Sequence, residues 1–329
     1  MSHLESKYNL TEYESDSFGK IHWQPRCLDL ENPLAVEYKL EWRRYVAEKN
    51  LQHISRSFRT KTDTLKFSLY RRKIINNIFD TCRILNQPPE VRYLALAILD
   101  RVLFMMIHYI QICKTLDKKG NRVDRLRKEV LAKRMTDNAI LSVLSAIQLA
   151  SKYSSTLTAL TSVKLHRLFT FPFDNYSATK FDITKSEARV YSAIGYKIPP
   201  VTPLTYIEMF FEEFYNEGIK KHLKMTLSSF LNVCIDVLDV ALIFHKEIFG
   251  SLYRKVTGRV WMVRDSLFVK IEGDYIYLAS SVIYAAAKLQ DPTGMVSLEF
   301  LRYFSFATQY KAEEIECLGT VILTHITNE

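Results

Sequence analysis

The sequence predicts an all-α protein built as two tandem five-helix units behind a polar N-terminal tail and a leading helix. Three observations predict it. Only 9 Gly and 9 Pro occur in 329 residues, which favours long helices over tight hairpins, and no stretch alternates apolar and polar residues as a half-buried strand does. The segment from Thr136 to Tyr153, TDNAILSVLSAIQLASKY, is small or apolar on every side until Lys152, the pattern of a buried helix. A second segment of the same kind, Asp274 to Leu289, DYIYLASSVIYAAAKL, repeats it in register, with Lys288 on Lys152, Ile283 on Ile147 and Ala286 on Ala150. Two buried hub helices point to two copies of one helical unit.

The elements follow in order. Residues 1 to 32 are polar and without period, an extended tail that Trp23 could anchor. From Pro33 to Phe58, apolar residues at Leu34, Tyr38, Trp42, Tyr45 and Val46 keep helical spacing, and Pro33 suits a first turn. Residues 1–59 are therefore tail and leading helix. The first unit, 60–198, opens with a helix from Leu65 to Leu85 that is apolar at Leu69, Ile74, Ile75, Ile78, Phe79 and Cys82. Pro88 and Pro89 end it and begin the next, since proline fits a first turn but not an interior. That next helix, Glu90 to Cys113, carries Asp100 among Leu96, Ala97, Leu103 and Phe104, where a buried carboxylate needs a cation beside it.

The hub helix follows, with Thr136 or Asp137 able to cap its start. Helices over Val163–Phe169 and Lys180–Ile194 come next, and Gly195 stands where a left-handed residue closes a helix. Pro199, Pro200 and Pro203 mark the boundary to the second unit, 199–329, with Thr202 as a candidate cap. The second unit reads as helices Pro203–Tyr215, Met225–His245, Asp274–Leu289, Met295–Phe304 and Ala312–Thr324. Phe249 to Glu272, rich in aromatic and basic residues, is expected to be a loop packed on its own unit, although the mixture could also stack on nucleic acid.

Composition narrows the function. Cys27, Cys82, Cys113, Cys234 and Cys317 are odd in number and lack C-x-x-C pairing, so they read as reduced thiols of an intracellular protein. No apolar run is long enough for a membrane span, and the polar start is not read as a signal peptide. Phosphate-loop glycines, a nucleophile with its base, and histidine pairs at metal spacing are all missing, so neither an enzyme nor a cofactor is expected. His108, His166 and His245 lie singly in helical patterns and read as core or surface residues.

The net charge of +9 is concentrated. Residues 114–134 hold nine basic residues against three acids, a local balance of +6, and Lys118, Lys119, Arg125 and Lys128 are candidates for an electrostatic docking patch. A solvated connector has the same composition.

Two five-helix units joined by a proline-rich linker and built on small-residue hubs resemble the double cyclin box. LASKY resembles the hub-helix ending of cyclins, and ITKSEARVYSAIGYKIPPVTPL resembles their fifth helix and the crossing into the second box. YRRKI and the aspartate of ILDRVL, 29 residues beyond Arg71, match the first two helices without a gap. On this resemblance 60–198 is the first box, with 114–134 as a basic insert, and 199–329 a divergent second. Arg71, Asp100, Lys152 and Glu187 fall where cyclins keep two basic and two acidic residues, and Leu141 falls on their hub leucine.

The resemblance implies that Lys152 and Glu187 bind a kinase helix, and that Arg71 and Asp100 form a structural ionic cluster. Ser154 and Ser155 replace the two acids that commonly follow the cyclin lysine. The hydrophobic substrate-docking groove is also altered, since its positions fall on Tyr70, Lys73, Ile74 and Asn77. The basic insert, LASKYS and TPLTYIEMFFEEF look most like a meiotic branch of the family associated with crossover sites. The resemblance thus implies a nuclear, chromosome-associated regulatory subunit of a Cdk2-like cyclin-dependent kinase, working among meiotic recombination proteins. A scaffold without kinase activation and a DNA-binding double cyclin box are the competing expectations.

Overall fold

A computed structural model describes residues 35–61, 71–116, 139–154, 159–170, 178–216, 226–259, 266–291 and 293–327. Thirteen helices and no strand make up these residues. The leading helix α1 is Ala35–Lys61. The first unit comprises α2 (Arg71–Ile84), α3 (Pro89–Leu116), α4 (Ala139–Ser154), α5 (Ser162–Thr170) and α6 (Lys180–Ala193). The second comprises α7 (Pro203–Asn216), α8 (Leu227–Ile243), α9 (His245–Thr257), α10 (Ser266–Glu272), α11 (Tyr275–Gln290), α12 (Met295–Ala307) and α13 (Ala312–Thr327). The tail with Trp23, the caps Thr136 and Asp137, and the basic patch of Lys118, Lys119, Arg125 and Lys128 lie outside the described residues.

Both small-residue helices are hubs. α4 packs on α2, α3 and α6, and α11 packs on α7, α8, α12 and α13. Ile147, Ala150, Ile283 and Ala286, the positions paired by the internal repeat, are fully buried. Short side chains set how closely the neighbours approach. Gly319 of α13 faces α11 so tightly that a Cβ there would lie 2.4 Å from Tyr284 Cδ1 and 3.1 Å from the Ser281 carbonyl oxygen. Gly319→Ala should therefore cost about 1 to 3 kcal/mol through overpacking, read as a lowered midpoint in chemical denaturation.

Local signals account for the ends of the elements. Thr179 and Asp182 form a reciprocal capping box at the start of α6, and the hydrogen bonds from Thr179 hold the Asp182 carboxyl below its ordinary pKa. α6 ends in Gly195 at φ +65°, which donates its N–H to the Ser192 carbonyl. At α7 the expected cap is reversed: the Thr205 hydroxyl accepts from the Thr202 N–H at 3.1 Å.

Two segments refine the sequence reading. The helix expected over Met225–His245 is α8, which ends at Ile243, and at Phe244 the chain turns by 81° into a further helix, α9. The segment from Phe249 to Glu272, expected as a loop, is largely the helices α9 and α10. His245, Ile248, Phe249, Leu252 and Tyr253 recur at helical spacing and are buried, so apolar periodicity dominates the basic composition there.

The leading helix belongs to the body of the fold. It packs on α3 and on α10. Its buried Asn50 donates to Asp274 Oδ1 at 2.9 Å and accepts from the Tyr275 N–H at 2.9 Å, while Tyr206 donates to the Val46 carbonyl at 2.8 Å. Asp274 Oδ1 also caps α11 through the Ile276 and Tyr277 N–H groups, at 2.9 and 3.0 Å. Four donors thus meet on Asp274, since Tyr310 donates to its other oxygen.

The two units are joined by a polar clamp. Arg92 of α3 pairs with Asp239 of α8 at 2.8 Å, both side chains being 13% exposed, and the Tyr93 hydroxyl donates to Asp239 at 2.7 Å. Arg92 also lies over the Phe79 ring at 5.4 Å. Beside the clamp, Arg72 of α2 covers the Phe244 ring at 3.9 Å and reaches Glu247 at 3.9 Å.

Candidate partner-binding face

The last turn of α4, the start of α3 and the middle of α6 converge on one face of the first unit. Lys152 sits in that last turn, where the helix C-terminus favours a cation. Its Nζ meets Glu187 Oε1 at 2.6 Å, and their side chains are 45% and 13% exposed. The fold thus joins two residues 35 positions apart into one ion pair on an accessible surface. Tyr153 and Phe181 on the same two helices stay exposed, at 54% and 72%, and Val163 of α5 adds a third exposed apolar side chain.

Beneath the pair, hydroxyls and amides fix the helix ends. Ser151 donates to Gln87 Oε1 at 2.7 Å and accepts from the Leu160 N–H at 3.0 Å. Gln148 donates to Ser162, whose hydroxyl meets Thr184 of α6 at 3.0 Å. Ser154 donates to the Glu90 carboxylate in the first turn of α3. Glu90 is therefore a member of this face that the sequence reading did not place there. A glutamate directly after a helix-starting proline was the available signal, since carboxylates favour that end of a helix.

The other predicted positions are distributed as follows. Leu141 is buried in the first turn of α4 and packs into the core, where its carbonyl accepts from the Ser145 hydroxyl at 2.7 Å. Asp100 is partly buried in the middle of α3, less than a core carboxylate would be. Arg71 begins α2, and its side chain is outside the described atoms, so the Arg71–Asp100 cluster is not on view. Along α2, Lys73 and Asn77 are exposed and Ile74 is half-buried.

Cys82 and Cys234 are buried free thiols, and burial raises the pKa of both, that of Cys82 to about 12. His245 is buried against Glu272 at 3.4 Å, tying the start of α9 to the end of α10. Among the described residues no cluster of three metal-capable side chains occurs, and no single helix is long and apolar enough to cross a membrane.

The all-α architecture, with a small-residue hub at the centre of each helical unit, is consistent with the cyclin-box fold. Comparison with known proteins finds two relatives. The chain is 25% identical over 240 residues to "Cyclin N-terminal domain-containing protein 1" of Mus musculus, covering 72% of this chain and 69% of that protein. To the Homo sapiens protein of the same name it is 26% identical over 207 residues, 61% of this chain and 60% of that one. At 25–26% identity these relatives support a likeness to a cyclin N-terminal domain family. No family model matches the sequence. No solved structure matches it either.

Proposed function

We propose that the chain is a non-enzymatic, cyclin-like regulatory subunit. It binds a Cdk2-like cyclin-dependent kinase through the face around Lys152 and Glu187, and targets or activates that kinase at meiotic crossover sites on nuclear chromosomes. The observation that carries this reading is the accessible ion pair at 2.6 Å that joins α4 to α6, with Tyr153, next to Lys152 in sequence, exposed on α4. Aromatic side chains beside partly desolvated charges form the centre of many protein interfaces. The resemblance of the surrounding segments to the first cyclin box supports a kinase helix as the partner, and that of LASKYS and TPLTYIEMFFEEF to the meiotic branch supports the setting.

Lys152→Ala and Glu187→Ala should each weaken kinase association by about 1 to 3 kcal/mol without unfolding the chain. Since the two side chains bind each other in the free protein, the double variant should lose less than the sum of the singles. Titration of the four proteins against a purified kinase measures this. Undiminished binding with the fold intact would remove this face from the interface, and strict additivity would mean that the two side chains do not act as one unit.

One contact favours a scaffold that does not activate the kinase. Ser154 stands where cyclins commonly keep an acid, and its hydroxyl is committed to Glu90 of the same chain. In that reading the same fold recruits recombination factors, and a kinase assay separates the two.

A further inference from the structure

Arg254, Lys255, Val256, Thr257, Gly258 and Arg259, at the end of α9 and just beyond it, are all exposed, so this tip stands out from the second unit. It carries three cations and no acid. No ion pair reaches Arg254, Lys255 or Arg259 among the described residues. The carbonyl end of α9 explains two of them, because a helix C-terminus favours positive charge. It does not explain Arg259, which follows the left-handed Gly258 and has left the helix.

The tip is held in place. The Gly258 N–H donates to the Arg254 carbonyl at 2.9 Å, and the Arg259 N–H donates to the Thr257 hydroxyl at 3.2 Å. The same segment has sorted its side chains by type. Phe249, Tyr253 and Phe268 pack inward, with Tyr253 and Phe268 edge to face at 4.9 Å, while the cations face outward.

We propose that the α9 tip is a contact surface for the phosphate backbone of duplex nucleic acid. This does not rest on the kinase-binding reading. Cations without acids complement a polyanion and release its counterions. Single strands are held by stacking on exposed aromatic rings, and the rings of this segment among the described residues, Phe249, Tyr253 and Phe268, are buried. A protein partner would need a large anchoring side chain, and among the described residues the tip offers only Val256. Phosphate contacts position a protein without reading bases, so the surface is indifferent to sequence.

The test is a fluorescence-anisotropy titration of the full chain against a labelled mixed-sequence duplex between about 50 and about 200 mM salt. The parent should bind, and two unrelated sequences should bind equally. The triple variant R254Q/K255Q/R259Q should keep the melting temperature, lose about 10-fold in affinity or more, and show a log–log salt slope smaller by roughly 2 to 3. R259Q alone should reduce the slope by about 1, which guards against misfolding of the triple variant. The proposal is overturned if the parent binds no duplex at about 50 mM salt, or if the triple variant keeps the parental slope. It is overturned equally if all the salt dependence disappears with K118Q/K119Q/R125Q/K128Q, or if the tip variants lose binding to polyglutamate but not to duplex, which would make the tip a site for an acidic protein.

Discussion

Replacing Asp239 by alanine should lower the stability of the chain by about 3 to 5 kcal/mol, because removing one partner of a buried ion pair strands the other. Arg92 is 13% exposed, Asp239 is its ion-pair partner at 2.8 Å, and its Nε has no hydrogen bond even in the intact clamp. Burial works against the Arg92 charge, but Tyr93 and Asp239 more than offset that and raise its pKa further, so the guanidinium stays charged. Chemical denaturation followed by circular dichroism measures the loss. Pairing Asp239→Ala with Arg92→Leu should recover part of it, since the two side chains act as one unit. Additive losses would mean that the clamp contributes no coupling between the units.

The clamp also has a pH signature. Burial, which exceeds the opposing pull of Arg92 and of the Tyr93 hydroxyl, raises the Asp239 carboxyl from its ordinary 3.8 to about 6. Between those values the folded chain binds more protons than the unfolded one. The stability contributed by this group is therefore full below about 3.8 and lost as the pH rises through about 6. Asp239→Asn should remove that fall, which comparison of denaturation midpoints at about pH 5 and about pH 7.5 would reveal.

Asp274→Ala should be nearly as damaging, at about 3 to 5 kcal/mol, from a lost helix cap together with buried donors left unsatisfied. The substitution removes the acceptor for the Ile276 and Tyr277 N–H groups, for Asn50 from the leading helix and for the Tyr310 hydroxyl. Because Asn50 is part of this junction, hydrogen exchange in α1 should accelerate along with that in α11. Loss of protection in α11 alone would show that α1 is held elsewhere.

Periodicity and punctuation made much of the fold legible. The hubs announced themselves through small residues on every side, and Pro89, Gly195 and Pro203 fall at helix boundaries as their backbone chemistry requires. What composition obscured was α9, where Arg254, Lys255 and Arg259 suggested a loop although Ile248, Phe249, Leu252 and Tyr253 keep the spacing of a buried face. The break at Phe244 left no mark, because no Gly or Pro accompanies it.

The site was legible in part. Lys152 and Glu187 were recognisable from their segments, and their contact required the packing of α4 on α6. Glu90, and the clamp of Arg92, Tyr93 and Asp239, depend on contacts between residues 64 to 147 positions apart, which no local pattern encodes.

The central claim, that the face around Lys152 and Glu187 engages and regulates a cyclin-dependent kinase, is tested most directly by one reconstitution. A purified Cdk2-like kinase is assayed on a model substrate with increasing amounts of the full chain, alongside Lys152→Ala and Glu187→Ala. Saturable stimulation by the parent, with both variants needing about 10-fold more protein for the same rate, is the predicted result. A kinase rate unchanged by the parent at concentrations where the two proteins bind, or stimulated equally by both variants, would contradict it.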